Sequence, residues 1–294
     1  MSTEDLETDE VAAIYDELLK TYKTEWEYRG HRSLHLAYYD EDHDDPGAAA
    51  MNTMRVLSEA ANVDGTDRIL NIGCGAGEDS VWNARAYGAE VVGVNISERQ
   101  LELARENARE HGVEELTDFR YDDFQTLETV EDDSFDLVWG LEALSHSPDR
   151  EAALQTAIRV LTANGRVAFT DLFLTENADA LSPSEREQIE TIEDALGLRL
   201  GSIEEFEQTL ERSSFREITV RALTEGIKQC TRRRHSFARI GYPVGRVLQR
   251  VGIVSSTQVD GLKASSLIHK LIESDVLGYY LVTAELGGDE SNNG

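Results

Sequence analysis

Short apolar runs alternate with amphipathic stretches through the middle of this chain. PGAAAMNTMRVLSEAAN (46–62) predicts a helix with Pro46 near its start. Strand-like runs then follow: RILNIG (68–73), AEVVGVNIS (89–97), LTDFRYDD (116–123), SFDLVWGLE (134–142) and GRVAFTDLF (165–173). Between the second and third lies SERQLELARENAREHG (97–112), where Leu101, Ala104 and Ala108 share one face. Ser97 suits the start of that helix and Gly112 its end. Strand–helix alternation at this pitch predicts parallel strands with helices on both faces. The expected fold is therefore α/β, a doubly wound sheet whose ligands sit at the carboxyl ends of its strands.

Beyond residue 173 the pattern changes. An acidic helical region (about 179–212) precedes a strand, FREITVRAL (215–223), and a last strand, LGYYLVTAEL (277–286), follows a long interval. The expected organisation is an N-terminal helical or cap segment at 1–62, a ligand-binding core at 63–173, and the rest of the sheet with an inserted helical lid at 174–286. The N-terminal segment carries Tyr15, Tyr22, Tyr28, Tyr38 and Tyr39. The tail GGDESNNG (287–294) is expected to be disordered.

Charge changes the picture. The chain's 294 residues include 57 acids and 28 bases, for a net charge of −29, and only five of the bases are lysines. The acids follow periodic segments and form no single block, so the excess reads as adaptation to molar salt. At ~1 M salt the Debye length is about 3 Å, so acids repel little while a charged surface still resists association. The same excess argues against a nucleic-acid partner, which requires a basic face. Two distant cysteines, Cys74 and Cys230, fit neither a disulfide framework nor a zinc site. No segment reads as a signal peptide or a membrane span, and the expected location is cytoplasmic.

Candidate chemistry concentrates in RILNIGCGAGED (68–79). Gly73, Gly75 and Gly77 lie between a strand and a helix, where the backbone can turn sharply and approach a ligand. A dinucleotide fingerprint would place glycine or alanine at the position of Glu78. An acid there is a poor neighbour for a pyrophosphate, so the spacing favours a ligand without phosphates and makes a nicotinamide-dependent dehydrogenase a distant alternative.

LNIGCGAGED, VVGVNISERQLELAREN, FRYDDFQTL, SFDLVWGLEALSHSPDR and RVLTANGRVAFTDLF, in that order, resemble a class I S-adenosylmethionine-dependent methyltransferase. The likeness is to the small-molecule branch that includes sugar O-methyltransferases, tocopherol and sterol C-methyltransferases, and cyclopropane fatty acid synthases. LHLAYYDEDHDD near the N-terminus matches that branch as well. The resemblance implies a Rossmann-like seven-stranded sheet with its last strand antiparallel, plus a helical cap. It implies that Gly73, Cys74, Gly75 and Gly77 cradle the cofactor, with Asn71 where the family usually has an acid beside the cofactor's amino group. Asn95 stands where class I enzymes often hold the ribose hydroxyls with an acid, and Ser97 with Gln100 forms the branch's S-x-x-Q. Asp123 with Phe124 matches the pair beside the adenine, with a register uncertainty of one against Asp122. His35 falls where the N-terminal segment reaches the cofactor.

Methyl transfer needs alignment of nucleophile, methyl and sulfur, and an oxygen nucleophile gains from a base. His146 follows the fourth strand and Asp171 ends the fifth, so both lie at the sheet's carboxyl edge as a candidate base and orienter. In the resembling sugar enzymes a histidine pair and an aspartate fill these places; here Ser145 replaces the first histidine. The remaining five histidines read as surface residues, and Cys74 as a packing residue. The expected function is methylation of a small molecule, with oxygen preferred. Carbon methylation of an isoprenoid or quinone-like ring, small-amine N-methylation and non-catalytic binding of S-adenosylmethionine are the alternatives. No metal site is expected.

One region departs from the acidic background. Residues 226–272 hold nine of the 28 Lys and Arg residues and one acid, Asp260. Within it, KQCTRRRHSFARIGYPVGRVLQR (228–250) reads as a solvated helix, a cap greeting an anionic substrate, or an amphipathic surface drawing a lipid-soluble substrate from a membrane face. In the resembling branch this region forms a substrate lid.

Overall fold

A computed structural model describes residues 11–19, 31–175 and 180–287. Tyr22, Tyr28 and almost all of the acidic tail lie outside the described residues. Two compact units are present. One comprises Met54–Asp171, Glu205–Arg221 and Tyr280–Gly294; the other comprises Met1–Thr53, Leu172–Glu204 and Ala222–Tyr279.

Nearly all of the sheet belongs to the first unit. Its strands are β1 (Arg68–Ile72), β2 (Glu90–Asn95), β3 (Thr117–Tyr121), β4 (Phe135–Leu141), β5 (Leu161–Leu174), β6 (Phe215–Ala222) and β7 (Leu277–Leu286). Their order is β3-β2-β1-β4-β5-β7-β6, and β3–β2, β2–β1, β1–β4 and β4–β5 pair in parallel. The expected seven-stranded α/β fold is present, and the sheet is mixed. β1 and β4 are buried along nearly their whole length, as parallel strands covered on both faces must be. Trp139 and Phe169 are almost inaccessible to solvent.

Helices α2 (Pro46–Ala60), α3 (Glu78–Tyr87), α4 (Glu98–His111) and α5 (Arg150–Val160) accompany the first five strands, after a helical segment α1 (residues 11–19). The expected ends of α4 hold. The Ser97 side chain accepts from Gln100 N, and Gly112 closes the helix in the left-handed region at φ 66°. β5 starts earlier than its apolar run suggests. Its pairing with β4 shifts register between Phe135 and Leu137, and a Cβ on Gly165 would lie 2.8 Å from Leu161 Cβ. The backbone doubles close to itself there, a bulge that only glycine permits.

The acidic region after β5 forms α6 (Pro183–Leu196) and α7 (Ile203–Arg212), and the long interval before β7 forms α8 (Thr224–Arg250) and α9 (Ser256–Glu273). Within the second unit α8 packs on α9 through small residues: a Cβ on Gly245 would lie 3.3 Å from Val259 Cγ2, and one on Gly241 3.4 Å from Leu262 Cδ1. The expectation of five surface histidines fails for His31 and His269, both buried. His269 faces α8 from within the helix pair, with Thr231 Oγ1 3.1 Å from its Nδ1; burial holds its pKa below the usual imidazole value. Among the described residues no helix is long and apolar enough to cross a membrane.

Candidate active site

The three glycines after β1 do different jobs. A Cβ on Gly77 would lie 2.7 Å from Ala104 Cβ and 3.1 Å from Phe119 Cζ, so this residue lets α3 and α4 close together. A Cβ on Gly73 would lie 2.9 Å from Ala143 Cβ, which brings the loop after β4 against the loop after β1. Gly75, at φ 53°, has only Gln100 Oε1 near its would-be Cβ, at 3.9 Å. It leaves open space over the backbone, a cradle that a side chain would fill. Cys74 packs over Gly93, whose Cβ would lie 3.0 Å from the sulfur. Burial, then the charge of Asp79, push the Cys74 thiol well above its usual pKa, so it is a packing residue and not a nucleophile.

Buried polar atoms without partners mark the same edge. Asn71, on β1, donates from Nδ2 to Ser80 Oγ at 2.8 Å, while its buried Oδ1 has no hydrogen-bond partner. Asn95, at the end of β2, accepts the Ile96 N–H at Oδ1, 2.8 Å, and donates from Nδ2 to Gln100 Oε1, 2.6 Å. The Ile96 N–H fixes the Asn95 amide orientation, and Asn95 then fixes that of Gln100. The Gln100 NH2 group is left buried and unpartnered. Thr170 Oγ1, on β5, is a third such atom. Buried polar groups in a finished structure almost always find partners. An acceptor on Asn71 and a donor on Gln100, both left without partners, fit a ligand that brings both kinds of group.

In the loop after β3, Asp122 and Asp123 have different surroundings. Asp122 is buried and spends its carboxylate on the Glu128 and Thr129 backbone N–H groups, at 3.1 and 2.7 Å, and on the Thr129 hydroxyl at 2.6 Å. Asp123 is only half-buried and accepts the Gln125 N–H at 2.9 Å; Phe124 beside it is also half-buried. Gln125 Nε2 donates to Ser147 Oγ at 2.6 Å, tying this loop to the one after β4.

Loop β4 carries His146 on a short 3-10 turn, Leu144–His146. It begins at Glu142, which takes a left-handed φ of 53° and donates its N–H to Thr170 O at 2.7 Å. Asp171, buried on β5, accepts the Ser145 N–H at Oδ2, 2.8 Å. The two strand ends are thus joined by backbone-anchored bonds immediately beside His146.

Sequence reasoning missed Asp79. It stands in the first turn of α3, buried, and accepts from Trp139 Nε1 at 3.2 Å. Burial raises its pKa to about 6, against hydrogen bonds from Asn71 and Trp139 that lower it. Asp79, at the start of the helix that follows β1, is hydrogen-bonded to the Asn71 amide. The only sequence signal was an acid two residues after the last glycine.

His35 belongs to the other unit. It is buried, its Nδ1 lies 3.2 Å from Leu36 O, and its segment is held by Thr53 Oγ1 donating to Leu36 O and by Arg234 donating to Leu34 O and His35 O.

Comparison with known proteins places this geometry. A family model described as a methyltransferase domain matches residues 64–213. Methyltransferase GfsG of Streptomyces halstedii is 34% identical over 194 residues, 64% of this chain and 67% of that one. The 27-O-demethylrifamycin SV methyltransferase of Amycolatopsis mediterranei is 36% identical over 149 residues, 51% of this chain and 54% of that one. Among solved structures, the 4+2 cyclase SpnF aligns at TM-score 0.77 with 22% identity, covering 96% of this chain and 97% of that one. The matches span only about half to two thirds of the two curated relatives' lengths. The chain belongs to the methyltransferase-domain family. It is a class I S-adenosylmethionine-dependent enzyme of the small-molecule branch.

Proposed function

We propose that this protein methylates an oxygen of a small molecule, with His146 as general base and Asp171 as its positioning residue. The observation that carries this reading is the Asp171 carboxylate, buried and bonded to the Ser145 N–H beside His146. S-adenosylmethionine supplies an electrophilic methyl on a sulfonium. The chain's part is to hold the acceptor hydroxyl in line, exclude water and remove its proton. The proton passes to the His146 imidazole, which sits on the turn that Asp171 anchors through the Ser145 N–H.

Gly73, Cys74, Gly75 and Gly77 would hold the cofactor's backbone-facing side, and the Gln100 NH2 with Asn95, in a loop capped by Ser97, its ribose. Asp123 and Phe124 would take the adenine, and His35 would come from the N-terminal segment. At the amino-acid end, the unpartnered Asn71 Oδ1 would accept from the ammonium. Asp79, bonded to the other side of the same amide, would return the charge that asparagine lacks. The acid excess supports a salt-rich cytoplasm as the setting.

The rival is a protein that binds the cofactor without transferring its methyl; SpnF, a cyclase, has the same fold. Incubation with methyl-labelled S-adenosylmethionine in molar KCl, with aqueous and lipid extracts as acceptor pools, separates the two. Label in an extractable product supports transfer, and base-stable label in an ether identifies oxygen. Cofactor binding without label in any product sinks the catalytic reading.

A further inference from the structure

Helix α8 has three faces. Ile227, Cys230, Thr231, Ala238 and Gly245 are buried. Phe237, Ile240, Val244, Val247 and Val251 are 53–74% exposed, and Ile253 beyond the helix is 68% exposed. Their three- and four-residue spacing makes one unbroken apolar stripe. Arg239, Arg246 and Arg250 make a second line, also exposed. At about 100° per residue the buried face, the stripe and the arginine row lie roughly 120° apart. The outward side of the helix is therefore half apolar and half cationic.

Neither half is explained by packing within the unit. α9 covers the side bearing Gly241 and Gly245. Earlier basic residues of α8 have partners: Lys228 pairs with Glu225, Arg232 with Glu273, and Arg234 with the backbone at Leu34 and His35. Arg239, Arg246 and Arg250 have no ion pair among the described residues, in a chain with twice as many acids as bases. Residues 226–259 contain seven Lys and Arg residues and no acid.

We propose that this face of α8 docks on an anionic lipid surface, with the apolar stripe entering the acyl boundary and the arginines meeting the headgroups. A stripe spanning residues 237–251 is roughly 20 Å long, more than a small metabolite covers. A second copy fits worse, since a two-fold contact would set arginine row against arginine row between bodies of net charge −29. An anionic membrane repels the rest of the chain and accepts only this face, which fixes its orientation. In molar salt screening confines the arginine term to direct contact, while apolar insertion persists.

Co-sedimentation of the full chain with phosphatidylglycerol vesicles, and with phosphatidylcholine vesicles as control, tests this at low and molar KCl. The expected result at low KCl is binding to the anionic vesicles and weak or no binding to the zwitterionic ones, with the preference narrowing in molar KCl as the arginines are screened. The double variant Ile240→Ser, Val247→Ser should lose binding by about tenfold or more at both salts. The triple variant Arg239→Gln, Arg246→Gln, Arg250→Gln should lose it chiefly at low salt. Circular dichroism of each variant verifies that the helix persists. Absence of binding by the wild-type chain overturns the proposal. So does equal binding to both vesicle types at low KCl, or a dimer in light scattering that the Ile240→Ser, Val247→Ser variant abolishes.

Discussion

Asp171 Oδ2 accepts the Ser145 N–H at 2.8 Å, so a carboxylate on β5, which runs on to Leu174 and does not end at Asp171 as expected, fixes the turn that presents His146. A carboxylate bonded to a backbone amide orients the neighbouring loop. His146→Ala is therefore expected to lower kcat by about 10²–10⁴-fold with the KM for cofactor little changed. Asp171→Asn retains an acceptor for Ser145 but loses the charge. Its kcat should fall, and combining it with His146→Ala should cost little beyond His146→Ala alone, because the carboxylate acts through the histidine's turn. Unchanged turnover in both variants would remove these residues from the reaction.

Gly75 and Gly77 should separate under the same substitution. Gly77→Ala drives a methyl into Ala104 and Phe119, so the melting temperature should fall sharply. Gly75→Ala meets open space and costs about 1–2 kcal/mol for the left-handed backbone. Its larger effect should be weaker S-adenosylmethionine binding by calorimetry. If the two variants lose cofactor affinity equally at equal stability, the glycines are not divided in this way.

Asp79 gives a pH signature. Its folded pKa is raised to about 6 from 3.8, so the folded state holds the proton more tightly than the unfolded one. The stabilising contribution is full below pH 3.8 and is lost as pH rises through 6. A shift of this size corresponds to about 3 kcal/mol. Asp79→Asn should raise the ligand-free melting temperature at pH 8 and flatten its fall across that window. The same variant should bind S-adenosylmethionine more weakly, since the charge that burdens the empty protein is the one offered to the ammonium. Stabilisation with unaltered affinity would leave Asp79 no part in binding.

The acid excess predicts salt dependence. With net charge −29, self-repulsion at low ionic strength should be screened as the Debye length falls to about 3 Å near 1 M salt. The melting temperature should rise steadily with KCl. A flat profile from dilute buffer to molar KCl would refute adaptation to salt.

Much of the fold was legible in the chain because its signals are local. The apolar runs at 68–73, 89–97 and 134–142 lie within one or two residues of β1, β2 and β4, and Ser97 and Gly112 bound α4 as their chemistry requires. β7 coincides with LGYYLVTAEL. Its insertion between β5 and β6 did not follow from periodicity, which reports which faces are buried and not which strands meet.

The site divides the same way. Gly73, Gly75 and Gly77 could be read as a ligand loop, but which of them packs and which faces open space depends on Ala104, Phe119 and Ala143, residues distant in sequence. Asp122 and Asp123 are equivalent as letters; only the fold of residues 128–129 over Asp122 distinguishes them. The replacement of an acid by Asn71 was visible in the sequence. That Asp79 stands against the same amide was decided by the turn bringing α3 back over β1 and β4, where burial joins an acid, an amide and Trp139 in one network. Sequence fixes chemistry that acts within a few residues, and packing decides which distant groups share a low-dielectric space and so change one another's charge and hydrogen bonding.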